Sequence, residues 1–357
     1  MLELNFLGKF NQPIDGVKWP IGLRLLTFGH AFNQLVQGIT WPTSLRQLTF
    51  GFMFNRAITG VTWPTSLQQL TFGRHFNQPI DGVMWPPALE DLTFGENFNQ
   101  PIQDVRWPSL RRLRLTGKFR QPLRNLGTTR AWPSRLKIIE FTSGSGFDRS
   151  IVGVRWPTSL QRLTLGGFFN QPIEGVTWPH FLQHLTLGGE FDQPIEGVTW
   201  PRSLEQLIFG YWFNQPIERS RWPKSLLHLT LGHFFNQMID AVTWPASLRQ
   251  LKFGGNFNTP IDSVTWPSPL QQLTLGGNFD CRIEGVMWPR RWSSLGWEAV
   301  STSRSKASRG RCHCSSSRSA GALTSWSAAS RGPHRFDNLR SDAISISPLT
   351  GSPGRRL

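Results

Sequence analysis

Along one short stretch of the chain, apolar side chains fall at Leu67, Leu70, Phe72, Phe76, Ile80, Val83 and Trp85, and polar or small residues fill the gaps. Leu70-Thr71-Phe72 alternates with period two, which predicts a short strand with Leu70 and Phe72 inward and Thr71 outward. Gly73 then ends the strand. Phe76 and Ile80 point inward again, with Pro79 between them, and Asp81-Gly82 supplies a turn. Val83 and Trp85 flank Met84 on a further alternating stretch, which places the Trp inside. Pro and Gly recur too often for a full helix in any such unit.

The same pattern recurs along most of the chain. Trp-Pro pairs begin at Trp19 and return at Trp41, Trp63, Trp85 and onward to Trp288, thirteen in all. The step is 22 residues except for 25 and 24 on either side of Trp132, and a Phe column from Phe10 to Phe279 keeps the same beat. One unit cannot bury its Leu, Phe, Ile, Val and Trp alone. Stacked units line them into continuous columns that become the core. Thirteen turns at about 4.8 Å each give a rod on the order of 60 Å long.

The polar columns divide into inward and outward sets. Asn follows the inward Phe at Asn11, Asn33, Asn55, Asn77 and Asn99, and Asp148, Asp192 and Asp280 replace it in three turns. Asp shares the carbonyl acceptor of Asn, so the column reads as an internal ladder that bonds one turn to the next. The Gln that follows, at Gln78, Gln100 and Gln171 among others, reads the same way. Acids recur beside a turn at Asp15, Asp81, Glu174 and Glu196 and read as a solvated turn position.

The pattern "FNQPI" at Phe76 to Ile80, with "WPTSLQQLTFG" at Trp63 to Gly73 before it, resembles the FNIP repeat, a 22-residue relative of leucine-rich repeats. The family has Leu-Pro where this chain has Trp-Pro, in keeping with an inward Trp. The resemblance covers residues 1–297. It implies a mainly β, leucine-rich-repeat-like solenoid of about thirteen 22-residue turns with short parallel strands. It also implies a protein-interaction role, and it brings no catalytic residues.

Composition changes this picture at the margins. Seventeen Trp and 26 Phe against a single Tyr, Tyr211, are what copying one pattern produces. Three Cys cannot staple a fold of this length, and no apolar run reaches membrane-spanning length. MLELNFLGKF lacks the basic and apolar regions of a secretory leader, so an intracellular, cytoplasmic location is expected. Residues 298–357 lose the repeat and turn to Ser, Arg, Gly and Ala, which predicts a disordered tail behind the solenoid of residues 1–297. From Arg290 onward, twelve Lys and Arg face three Asp and Glu, so nine of the chain's sixteen net positive charges sit there.

No phosphate-binding loop, nucleophile elbow or zinc-protease motif occurs. Cys312-His313-Cys314 is too short and isolated for zinc. His184 and His228 share a column but stand two turns apart, too far for one metal. No enzyme activity and no cofactor are expected.

What remains is a recognition face. The outward strand positions change from turn to turn while the inward ones stay constant. Gln69 and Thr71 are followed by Glu90 and Asp91, then by Arg111, Arg112 and Arg114, and further along by His184, His228, Arg249 and Lys252. The expected partner is a protein. The alternative is a nucleic acid or another anionic polymer, bound by the tail and by the stretch from Arg106 to Lys137. That stretch holds ten Lys and Arg, no Asp or Glu, and the irregular spacing.

Overall fold

The computed structural model describes residues 2–103, 105–107, 109–123, 132–142, 144–289 and 344–346. Thirteen short strands follow in order: β1 (Leu2–Asn5), β2 (Leu23–Thr27), β3 (Gln47–Thr49), β4 (Gln69–Thr71), β5 (Asp91–Thr93), β6 (Arg112–Leu115), β7 (Ile138–Phe141), β8 (Arg162–Thr164), β9 (His184–Thr186), β10 (Gln206–Ile208), β11 (His228–Thr230), β12 (Gln250–Lys252) and β13 (Gln272–Leu275). Each pairs in parallel with the next, which makes one sheet along the side of a solenoid. There is no helix among the described residues.

The inward pattern holds turn after turn. Leu70, Phe72, Phe76, Ile80, Val83 and Trp85 are all buried, while Met84 is 81% exposed. Two Phe ladders run through the first turns. Phe28, Phe50, Phe72 and Phe94 stack one on the next behind the sheet, and Phe32, Phe54, Phe76 and Phe98 stack beside them. Trp19, Trp132, Trp222 and Trp288 are only partly buried. At Trp222 the preceding core position holds Ser220 in place of the usual Val, so less apolar side chain covers the indole.

The alternating Val-x-Trp stretch does not become a second sheet. At Val83 the backbone N–H turns back to the Ile80 carbonyl at 3.4 Å, across a turn in which Gly82 has φ +71°. The backbone closes a tight turn there instead of running alongside its neighbour, and the indoles stack from turn to turn, the centroids of Trp41 and Trp63 6.2 Å apart and those of Trp244 and Trp266 6.3 Å apart.

Two side-chain ladders tie the turns together. The Asn column works as an acceptor ladder: the Asn33, Asn55, Asn77 and Asn99 backbone N–H groups each donate to the Asn Oδ1 of the turn before, at 2.8–2.9 Å. Asp148 and Asp192 fill the same role for Asn170 and Asn214, because a carboxylate oxygen accepts as an amide oxygen does. Gln100 Nε2 adds a second bond to Asn77 Oδ1 at 3.0 Å. Arg120 receives the ladder from Asn99 but has no acceptor on its own side chain to pass it on. The second ladder uses the Ser of Pro-x-Ser-Leu. Ser44, Ser66, Ser203, Ser225 and Ser247 each donate Oγ–H to a Leu carbonyl of the preceding turn, at 2.7–2.8 Å.

The acceptor ladder gives a direct test. Asn77→Ala strands the Asn99 N–H and is expected to lower stability by about 1–3 kcal/mol. Asn77→Asp keeps the acceptor and should stay within about 0.5 kcal/mol of the parent, the range of a neutral substitution. Urea unfolding of the two variants in parallel checks this, and equal losses would refute the acceptor role.

The irregular turns keep their sheet register. β6 and β7 pair Arg112 with Ile138 and Leu115 with Phe141 although their spacing departs from 22. A longer connection between paired strands adds little closure entropy. The expectation of a disordered tail over residues 298–357 lies outside the described residues except at β14 (Ile344–Ile346), which runs antiparallel along β13.

Candidate functional site

The sheet face is built by register. From β3 to β12 each strand buries its central Leu or Ile and turns the residues on either side outward. Parallel pairing then lines those outward residues into columns. One column runs Gln47, Gln69, Asp91, Arg112, Ile138, Arg162, His184, Gln206, His228, Gln250 and Gln272. The other is mostly Thr, including Thr71, Thr93, Thr164, Thr186 and Thr230, and it is interrupted by Arg114, Glu140, Ile208 and Lys252. Glu90, Arg111 and Arg249 lie just before their strands, joined to neighbouring turns by backbone bonds such as Arg111 N–H to the Glu90 carbonyl at 2.8 Å. All eleven residues expected to form a face therefore lie along this one sheet.

Gln69, Arg111, Arg249 and Lys252 are exposed, and Thr71, Glu90, Asp91, Arg112, Arg114, His184 and His228 are half-buried. His184 Nδ1 lies 2.9 Å from Gln206 Oε1, so that imidazole is part of a polar column. Among the described residues no three His, Cys, Asp or Glu side chains converge as a metal site.

Charge is concentrated where β5, β6 and β7 meet. Arg112 Nη1 is 3.2 Å from Asp91 Oδ2, and Arg114 Nε is 2.7 Å from Glu140 Oε2, with its Nη1 3.6 Å from Asp91 Oδ1. Arg111 Nε lies 3.6 Å from Glu90 Oε1. Every face arginine of this turn therefore meets a carboxylate from an adjoining turn. Among the described cations between Arg106 and Lys137, Lys137 joins Arg111 on the sheet side, its N–H on the Arg111 carbonyl at 2.9 Å. Arg111, Arg112 and Arg114 belong to the sheet side, Arg106 adjoins Trp107, and Lys118 and Arg120 follow β6. Arg124 and Arg130 lie outside the described residues. A count along the sequence finds no acid in this interval. Glu140 lies three residues beyond its end and reaches Arg114 only because 26 residues of chain close into one turn.

The recesses elsewhere are open grooves. One of about 1070 Å³ lies on the tryptophan side, lined by Trp200, Trp222, Arg202, Arg221 and Lys224 among others. It has no nucleophile paired with a base along its walls.

This geometry has counterparts among known proteins. The family model described as FNIP Repeat matches residues 10–52, 54–97, 76–106, 169–211, 191–234 and 235–278, together more than half of the chain. The chain belongs to the FNIP repeat family. The matched intervals skip residues 107–168, the stretch that contains the irregular turns and the paired arginines. Among solved structures, this FNIP array is similar to CroV588, described as a novel circular LRR protein. The identity is 38% and the TM-score 0.69, over 80% of this chain and 45% of that one. The FNIP chain thus spans less than half the length of that relative. An internalin (inlF) from Listeria monocytogenes aligns at 15% identity and TM-score 0.44, over 68% of this chain and 77% of that one. TLR13, solved in a complex with ssRNA13, aligns at 18% and 0.43, over 70% and 36%. No curated protein sequence matches the chain.

Proposed function

We propose that this FNIP solenoid is a non-catalytic scaffold that binds a protein partner through its sheet face. The observation that carries the reading is the division of the strands. From β3 to β12 a buried Leu or Ile stands at the centre of each strand, while the outward columns, held in register by parallel pairing, vary in charge and size. That combination keeps the frame unchanged while the contact chemistry changes along the face. The relationship to leucine-rich-repeat structures supports a binding role of this kind.

An anionic polymer bound by residues 106–137 and the tail is the competing reading. It draws less support, because Arg111, Arg112 and Arg114 each have a carboxylate within 3.6 Å or less. Paired charges of this exposure leave a modest net field at physiological salt. Binding by the face should rest on shape and many polar contacts.

The test is the double variant Arg111→Ala/Arg112→Ala. Circular dichroism and melting should match the parent, since both side chains lie outside the core. Affinity for a captured protein partner should fall by about tenfold while its salt-resistant component persists. Titration with single-stranded RNA between about 50 and 200 mM salt provides the contrast, because binding to a polyanion collapses over that range. If RNA binds tightly at low salt and the double variant removes all binding, the polyanion reading replaces this one.

A further inference from the structure

Between the strand-ending Gly and the inward Phe, each turn presents two outward residues on the rim of the solenoid. They stack in columns because the second N–H donates to the first residue's carbonyl one turn earlier. Examples are His75 to Phe52 at 2.9 Å, Glu190 to Gly167 at 2.7 Å and Trp212 to Gly189 at 2.9 Å. Besides the isolated Phe168, two places on this rim carry stacked aromatic side chains, and they differ in one respect.

In the first, His30 stacks on Phe52 with centroids 4.5 Å apart. Arg74 of the next turn lies over the other side of Phe52, its Cζ 5.3 Å from the ring centroid, and its Nε is 2.8 Å from Glu96 Oε2. The guanidinium fills a place between an aromatic face and a carboxylate.

In the second, Tyr211 stacks on His233 at 4.6 Å and 1°. Trp212 stacks beside it on Phe234 at 4.3 Å and 3°. The remaining face of Tyr211 looks toward the preceding turn, where the column holds Gly189 and then Gly167. A Cβ at Gly189 would have only Gly167 backbone atoms as its nearest contacts outside its chain neighbours, the carbonyl oxygen at 3.2 Å, and neither glycine places a side chain over Tyr211. Tyr211 is 43% exposed and Trp212 45% exposed. Glu190, next to the vacant place and in the same column as Trp212, is half-buried, and no Lys, Arg or His pairs with it among the described residues.

We infer that the slot above Gly189, walled by Tyr211 and Trp212 and flanked by Glu190, receives the guanidinium of an arginine from a protein partner. The chain's own Arg74 shows that this rim accepts a guanidinium between a ring and a carboxylate. A planar cation can stack on Tyr211 and bond Glu190 at once. A neutral aromatic ring would stack equally well but would desolvate Glu190 without pairing it. A lysine would pair with Glu190 but has no plane to lay against the ring. Exposed Tyr and Trp are also the residues that most often dominate binding energy at protein interfaces. The class of partner rests on the protein-binding reading. The slot lies beyond the strand ends, so its test does not depend on the sheet face.

The probe is the capped tripeptide acetyl-Gly-Arg-Gly-amide, observed by saturation-transfer NMR with the full chain. Its citrulline counterpart, planar but uncharged, serves as control. The Arg peptide should receive saturation most strongly at its Cγ and Cδ protons, about fivefold more than the citrulline peptide. Glu190→Gln should remove most of that difference. Gly189→Arg should fill the slot from within and abolish the signal, and it is tolerable because His30, Phe52 and Arg74 occupy the equivalent position elsewhere. Circular dichroism establishes that both variants fold, and Glu190→Gln decides alone if Gly189→Arg does not. Equal signals from the Arg and citrulline peptides overturn the inference, as does an Arg signal that survives in the folded variants. Neither result would touch the sheet-face reading, which the Arg111 and Arg112 substitutions test separately.

Discussion

Trp200→Ala is expected to destabilise the solenoid by about 3–5 kcal/mol, the range for removing a large aromatic from a packed core. Trp200 is 6% exposed, stacked between Trp178 and Trp222 at 6.3 and 6.4 Å, with Phe209 edge-on at 6.4 Å. Strand pairing on the opposite side fixes the spacing of the turns, so the neighbouring indoles cannot close over the void. The Trp200 Nε1 has no hydrogen-bond partner in the fold. The loss is therefore one of packing, and Trp200→Phe should recover part of it. Because each turn touches only its neighbours, a weakened turn should also split unfolding into two steps, one for each flank. Urea denaturation followed by circular dichroism reads both effects. An unchanged midpoint would mean that the tryptophan column contributes nothing to cohesion.

Gly73→Ala is the second large effect, at about 3 kcal/mol, from forcing an atom into a space already filled. A Cβ at Gly73 would overlap the Gly51 carbonyl oxygen of the preceding turn, and the same overlap recurs at Gly95 against Gly73. The strand-ending glycine exists because two backbones cross there at contact distance. Thr116 occupies this position in one irregular turn, but there the next residue, Gly117, takes φ +60° and the Thr Oγ1 donates to the Phe94 carbonyl at 3.0 Å. The requirement moves by one residue and does not disappear. Gly82→Ala is the control. Its Cβ would meet nothing within 4 Å, so only the positive φ of +71° is strained, which costs about 1–2 kcal/mol. Comparable melting shifts in the two variants would show that strain, and not the crossing, sets the cost at Gly73.

The acceptor ladder shows how far polar positions can be read without coordinates. Replacement of Asn by Asp at three turns pointed to a shared carbonyl oxygen, and the structure places that oxygen on the next turn's N–H. The serine ladder is equally visible as a recurring Pro-x-Ser-Leu, but a Ser two residues after Pro also suits an ordinary solvated turn, so the sequence does not single it out. Counting charges along the stretch from Arg106 to Lys137 omits Glu140, which lies just past the interval and reaches Arg114 across 26 residues.

The number of turns, the inward Leu, Phe, Ile, Val and Trp columns and the Leu-Thr-Phe strand of each turn follow from the sequence alone. Repetition multiplies a weak local signal thirteen times and fixes its phase. Tertiary structure decided what depends on distance between turns. The Val83 N–H closes a tight turn onto the Ile80 carbonyl, which keeps Val-x-Trp out of a second ladder. Register puts Arg112 beside Asp91, and two successive glycines, Gly167 and Gly189, leave one face of Tyr211 uncovered. A repeat states which residues are equivalent, but which side chains of neighbouring turns meet is set by register, and no single turn contains that information.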